Sequence, residues 1–175
     1  MDIILDEGQI NTKIGKMAAQ ILADTPADSA LAIVGIRSRG ELLAQRLSSL
    51  LSALSNTDVP CGTLDITLYR DDLNSPHGTT QPVVRTTEIS FSIDDKTIIL
   101  VDDVLFTGRS TRAALDALID LGRPHAIRLA VLVDRAGREL PIQPDYVGIK
   151  TDIVPSQRVH VNLVESDGRD EVVVD

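Results

Sequence analysis

Ile98-Ile99-Leu100-Val101-Asp102-Asp103-Val104-Leu105-Phe106-Thr107-Gly108-Arg109-Ser110 is the stretch on which the reading of this chain turns. The run Thr97 to Val101 is apolar and β-branched without alternation, the pattern of a central parallel strand covered on both faces. It delivers two adjacent carboxylates, Asp102 and Asp103, to its carboxyl end. A loop carrying hydroxyls and glycine then enters a helix, Ser110 to Leu121, with Ala113, Ala114, Leu115, Ala117, Leu118 and Leu121 at helical spacing and Gly122 and Pro124 as its stop. Backbone N–H groups at a helix N-terminus, reinforced by the positive end of its dipole, cradle a phosphate monoester; Gly108 allows close approach, and Thr107, Ser110 and Thr111 add hydroxyl donors. Two neighbouring carboxylates accept hydrogen bonds from vicinal hydroxyls such as those of a ribose. Together these parts describe a ribose 5-phosphate pocket. An isolated Asp-Asp pair, or a serine capping a helix, is an ordinary feature; two acids, a Thr-Gly pair and a serine at fixed offsets behind a buried strand are far more specific.

Outward from this segment the chain keeps the same rhythm. Ala126 to Val133 is a second buried strand, followed by Asp134-Arg135. Upstream, Ala30 to Ile36 is a short apolar run leading into Gly35-Ile36-Arg37-Ser38-Arg39-Gly40, after which Leu42, Leu43, Leu47, Leu50, Leu51 and Leu54 resume a helical period. Ile10, Ile14, Met17, Ala18, Ile21 and Leu22 place an amphipathic helix over 9–24. Gly62 to Tyr69 alternates as a strand, and Val83-Val84 with Glu88 to Ile93 suggests a further hairpin arm. Between them, 74–82 is a polar stretch that hardly packs, either a mobile functional loop or a disordered excursion. The fold class is α/β: a central parallel sheet flanked by helices, with ligands at the carboxyl ends of its strands.

Composition narrows the function. With 175 residues, the chain is one domain over 1–175. Its four aromatic residues, Tyr69, Phe91, Phe106 and Tyr146, make a poor stacking platform for single-stranded nucleic acid. A net charge of −9 argues against a broad phosphate-binding face, although the acidic tail over 165–175 alone supplies −4 of it. The remaining charge includes Arg37, Arg39, Arg70, Arg85, Arg109, Arg135 and Arg138, which fall in the segments expected to ring one anionic pocket. The single Cys61 builds neither a disulfide nor a multi-cysteine metal site, and the acidic start Met1 to Glu7 lacks the features of a signal peptide. No stretch reaches the length of a membrane span, so a cytoplasmic protein is expected.

The thirteen-residue string resembles the phosphoribosyl diphosphate motif of the type I phosphoribosyltransferases, with Ser110 where threonine is usual, a change that keeps the hydroxyl. The resemblance extends to Gly35 to Gly40, to Leu64-Asp65-Ile66-Thr67-Leu68-Tyr69-Arg70-Asp71-Asp72-Leu73 and to Leu132-Val133-Asp134-Arg135-Ala136-Gly137-Arg138-Glu139-Leu140-Pro141-Ile142. These look like the corresponding segments of the PyrR family of pyrimidine operon regulators and uracil phosphoribosyltransferases, in the same order from about residue 4 to residue 165.

The resemblance implies a fold with a flexible lid over about 70–86 and a small hood over about 134–165 together with the N-terminal segment. It assigns the ribose phosphate to Asp102, Asp103, Val104, Leu105, Phe106, Thr107, Gly108, Arg109 and Ser110. It assigns the diphosphate to Ser38, Arg39, Arg70 and Arg85, the last also catalytic with Asp102 and Asp103. Arg70 and Arg85 have the alternative of being solvated charges, and His77 reads as exposed. Arg135, Arg138 and Val159, in a late strand over 158–164, fall to the uracil hood. For the two arginines, ion pairing with Asp134 or Glu139 is the other reading.

The implied reaction converts uracil and phosphoribosyl diphosphate into UMP and diphosphate. Mg²⁺ is the implied cofactor, held mostly by substrate with Asp102 and Asp103 in indirect contact. The further partners implied are leader mRNA of a pyrimidine operon, bound in a UMP-dependent manner, and further copies of the chain in a homo-oligomer, a dimer or higher. Gly15 and Ala19 on the first helix, and Gln143, Asp145 and Ile149 later, stand where the RNA-binding branch has basic or hydrogen-bonding residues, which weighs against RNA. The alternatives are a purine phosphoribosyltransferase and a mainly regulatory UMP sensor.

Overall fold

The computed structural model describes residues 1–71 and 86–175. Five strands form a wholly parallel sheet in the order β3-β2-β4-β5-β6: β2 (Leu31–Ile36), β3 (Cys61–Leu64), β4 (Thr97–Leu105), β5 (Ala126–Arg135) and β6 (Tyr146–Thr151). The lack of alternation in β4 has the expected cause. Ile99 and Val101 face a core shared with α1 (Glu7–Asp24) and α2 (Arg39–Ser55), whereas Ile98 and Leu100 face Ala113, Ala114, Ala117 and Leu118 of α3 (Arg109–Leu121). Both faces are therefore dry, as parallel sheets require.

Helix α1 starts on a capping box, in which Gln9 N–H donates to the Asp6 side chain and Asp6 N–H donates to the Gln9 side chain. It buries Ile10, Ile14, Met17, Ala18 and Ile21, the i, i+4, i+7 stripe read from the sequence. Helix α2 ends on Asn56 in the left-handed conformation, φ 51°.

A second, antiparallel sheet stands apart, in the order β1-β8-β7: β1 (Asp2–Asp6), β7 (Val159–Asn162) and β8 (Glu171–Val174). A short helix, α4 (Val164–Asp167), joins β7 to β8. The acid-rich tail is thus the middle strand of this sheet, with Val172, Val173 and Val174 all buried.

Two sequence expectations change. The strand expected over 62–69 ends at Leu64, because the Asp65 carboxylate takes both the N–H and the hydroxyl of Thr67 and turns the chain into a single 3₁₀ turn, Thr67–Tyr69. The strand expected over 88–93 reduces to one antiparallel bridge, Thr63 with Glu88. Val83-Val84, His77 and Arg85 lie outside the described residues.

Candidate active site

The carboxyl ends of β2, β4 and β5 converge on one rim of the parallel sheet. β4 runs past the two acids to Leu105, so Asp102 and Asp103 lie within paired strand, with Asp102 opposite Val131 of β5. Their carboxylates are held by the chain itself: Asp103 N–H donates to Asp102 Oδ1 at 2.9 Å and Val104 N–H to Asp103 Oδ1 at 2.9 Å. Burial away from water, and then the charge of Asp103 beside it, push the Asp102 carboxyl well above the usual carboxylate range.

Helix α2 reaches this rim through its first turn. A Cβ on Gly40 would lie 2.6 Å from the Val101 carbonyl oxygen and 3.3 Å from Asp102 Oδ1, and one on Gly35 would lie 2.5 Å from the Gly40 carbonyl oxygen. Only two glycines allow the Arg37 to Gly40 turn to lie this close to the carboxylates. Ser38 stands at the N-cap of α2, and Arg39 donates from Nη2 to Asp167 Oδ1 at 2.8 Å. Arg37, which carried no assigned role, donates from Nε to the Thr86 carbonyl at 2.9 Å and pairs with Glu41 at 3.2 Å.

The loop after β4 enters α3 with no side chain capping the helix, and Gly108 takes φ +93°. A cavity of about 190 Å³ opens there, lined by Thr107, Arg109, Ser110, Arg70 and Asp71. It has the scale of one phosphate group and is walled by the hydroxyls and arginines that such a group needs. Arg70 therefore joins the ribose-phosphate end of the site. Thr111, read as a third hydroxyl donor, is instead buried in the first turn of α3. Arg109 bridges Asp71 at 2.6 Å and Glu139 at 2.8 Å.

The segment after β5 packs onto this loop. Glu139 N–H and Leu140 N–H both donate to the Thr107 carbonyl, at 2.9 and 3.1 Å. Gly137, at φ +117°, lies so close to Phe106 that a Cβ would sit 2.3 Å from the ring. Arg138 donates to the carbonyls of Phe106 and Ile142 and pairs with Asp134, the ion pair that was its alternative reading. Arg135 is buried and donates to the carbonyls of Gln157 and Val154, with its guanidinium 4.1 Å from the centre of the Phe106 ring. A cleft of about 540 Å³ extends along this segment and the end of β6, past Gly137, Leu140, Ile142, Lys150 and Asp152. Val159 is half-buried at the start of β7 and packs on the same core as Val104 and Ile149. β7 ends at Asn162, short of the strand expected to 164.

Gly137 is not among the residues the sequence singles out for the site, and Phe106, expected along the ribose phosphate, also lies against the Arg135 guanidinium. Among the described residues no cluster of three or more His, Cys, Asp or Glu is arranged to hold a metal ion, and no helix is long and apolar enough to cross a membrane.

Comparison with known proteins agrees with this geometry. Residues 1–166 match the family model of the phosphoribosyl transferase domain. A bifunctional protein PyrR from Deinococcus radiodurans is 51% identical over 169 residues, covering 97% of this chain and 91% of the relative. One from Desulfosudis oleivorans is 52% identical over 174 residues, covering 98% and 94%. Among solved structures, the hypoxanthine phosphoribosyltransferase of Trypanosoma cruzi superposes with a TM-score of 0.73 at 20% identity, over 99% of this chain and 95% of that one, a likeness of fold alone. With a two-carboxylate strand end, a phosphate-sized cavity at a helix N-terminus and half-identical relatives across nearly its whole length, this chain belongs to the phosphoribosyl transferase domain family and, within it, to the bifunctional PyrR proteins.

Proposed function

We propose that the protein is a uracil phosphoribosyltransferase that makes UMP and diphosphate from uracil and phosphoribosyl diphosphate. The observation that carries this reading is that β4 carries Asp102 and Asp103 and runs directly into the loop whose Thr107 and Ser110 line the 190 Å³ cavity at the start of α3. The 5-phosphate sits on the N–H groups of α3 with Thr107, Ser110 and Arg109, and the ribose hydroxyls bond Asp102 and Asp103. The chain from Val104 to Phe106 forms the floor between them. Ser38 and Arg39 take the diphosphate, a role the resemblance also gives to Arg85, which lies outside the described residues, while Arg70 lines the phosphate cavity. The chain from Asp134 to Ile142, with Arg138 and Val159, walls the base, where backbone groups read the acceptor-donor-acceptor edge of uracil.

As the C1′–diphosphate bond lengthens, positive charge builds on C1′ and the ring oxygen. The paired carboxylates lie on the side of the ribose where they stabilise that charge, and the arginines neutralise the leaving group. The uracil N1 proton is lost to a nearby base, for which Asp103 is placed, though orienting the ribose is its first role. Two carboxylates, with no third acidic ligand grouped with them among the described residues, suit a hard cation held mainly through the substrate. Asp102 and Asp103 would hold Mg²⁺ indirectly, through the substrate, and it would supply charge neutralisation for the departing diphosphate.

Kinship with bifunctional relatives supports a second role, UMP-dependent binding of pyrimidine leader mRNA by a cytoplasmic homo-oligomer. The exposed Ala19 and the open surface at Gly15 give α1 little to hold phosphates with, so catalysis is the primary reading. A panel of bases tests it: with phosphoribosyl diphosphate present, uracil is expected to release diphosphate faster than hypoxanthine, guanine or cytosine. A purine that outruns uracil overturns the assignment. Filter binding of the leader RNA with and without UMP tests the second role, and equal retention in both removes it.

A further inference from the structure

Arg135 is nine-tenths buried, yet its side chain joins two separate parts of the molecule to the end of its own strand. Its planar face lies 4.1 Å from the centre of the Phe106 ring, in the loop that cradles the phosphate. Its Nη1 donates to the Gln157 carbonyl at 2.9 Å and its Nη2 to the Val154 carbonyl at 2.8 Å, both in the segment that leads into β7 and Val159. Its own backbone ends β5, the strand next to β4. Gly137 packs closely against the same Phe106 ring, and the Phe106 carbonyl is held by Arg138. Both terminal donors of Arg135 are spent on main-chain carbonyls, and its flat face on a ring.

We infer that Arg135 is a positioning residue for the base, a strut that acts through Phe106 and the 154–157 segment to set the spacing between the phosphate-binding loop and the small antiparallel sheet. This role rests on the phosphoribosyl-transfer reading above. Without the strut the ribose phosphate still finds its cradle, because the α3 N-terminus and the carboxylates stand on β4 and α3. The wall carrying Val159 loses its fixed distance from that cradle, so the base is the substrate that suffers. Methionine at 135 keeps the bulk but loses the charge and both donors. Lysine keeps a cation over the ring and reaches one carbonyl at a time. Leucine at 106 removes the stacking surface while leaving Arg135 in place.

The test is steady-state kinetics of the full-length protein with R135M, R135K, F106L and the double variant R135M/F106L, using the base that the wild-type protein turns over fastest. R135M and F106L are each expected to raise KM for the base about tenfold, and in R135M KM for phosphoribosyl diphosphate is expected to stay within about twofold. R135K is expected to recover part of the loss. The double variant is expected to match the worse single variant, since both changes break one contact. If F106L leaves KM for the base unchanged while R135M raises it, Arg135 touches the base directly and the strut is overturned. It is equally overturned if the variants lose thermal stability with both KM values unmoved, or if the two single effects multiply. A wild-type preference for a base other than uracil refutes the uracil assignment but still leaves the strut measured, on that base.

Discussion

Arg46 and Asp170 meet through both ends of their planar groups, Nη1 to Oδ2 at 2.7 Å and Nη2 to Oδ1 at 2.8 Å, and the same guanidinium also holds both carboxylate oxygens of Glu165. Seven residues earlier on the same face of α2, Arg39 holds Asp167. The small antiparallel sheet is therefore bolted to the helix whose first turn approaches the catalytic carboxylates. Arg46→Met leaves Asp170, only 6% exposed in its side chain, without its cation, and should destabilise the fold by about 3 kcal/mol in chemical denaturation. An unchanged midpoint would mean that the bolt carries no stability.

The same cluster sets an acid limit. Hydrogen bonds from Arg46 hold Asp170 and Glu165 below their ordinary values, and the Ser166 hydroxyl, with the Leu163 N–H, does the same for Asp167. Groups with depressed folded-state values stabilise the native state fully above their unfolded values, about 4, and lose that contribution as pH falls through the lower folded values. Thermal melts from pH 6 down to pH 2 should show wild-type stability falling steeply below about pH 4, with a shallower fall in Arg46→Met, where Glu165 and Asp170 are no longer paired.

Asp102 behaves in the opposite sense. Its value is raised, so the native state binds this proton more tightly than the unfolded chain does, and stability is lost as pH climbs from about 4 through the folded-state value. Asp102→Asn removes that penalty. The variant should melt higher than wild type at pH 8, while its turnover falls. A lower melting point at pH 8 would contradict the burial of this charge.

Gly40 bears on activity through packing. A methyl group there meets the Val101 carbonyl at 2.6 Å, so Gly40→Ala must push α2 away from β4. The expected cost is about 1–3 kcal/mol. A fall in kcat/KM well beyond that of a stability-matched core variant is also expected, because the Ser38–Arg39 turn moves with the helix. Parallel denaturation and kinetics on Gly40→Ala and a remote variant such as Leu118→Val separate the two effects.

The parts of the molecule nearest the chemistry were the most legible in the sequence. The run from Thr97 to Ser110 carries its strand, its turn and its helix start in local residue types, and the structure places them in that order. Relationships between distant segments were hidden. Val172 to Val174 are three strand formers inside an acidic stretch, and only their pairing with β1, some 170 residues earlier, makes them the centre of a sheet. The strand expected over 62–69 failed because Asp65 offers the backbone a competing turn that alternation does not register. The main-chain carbonyls that the Arg135 and Arg138 guanidiniums bond were likewise hidden, since such bonds leave no pattern along the chain.

The most direct test of the account is product formation by Asp103→Asn beside wild type. Given uracil, phosphoribosyl diphosphate and Mg²⁺, the wild-type protein should form UMP and diphosphate in equal amounts. Asp103→Asn, with a melting point close to wild type, should form UMP at least about a hundredfold more slowly. Absence of UMP with wild-type protein, or an unchanged rate in a folded Asp103→Asn, would contradict it.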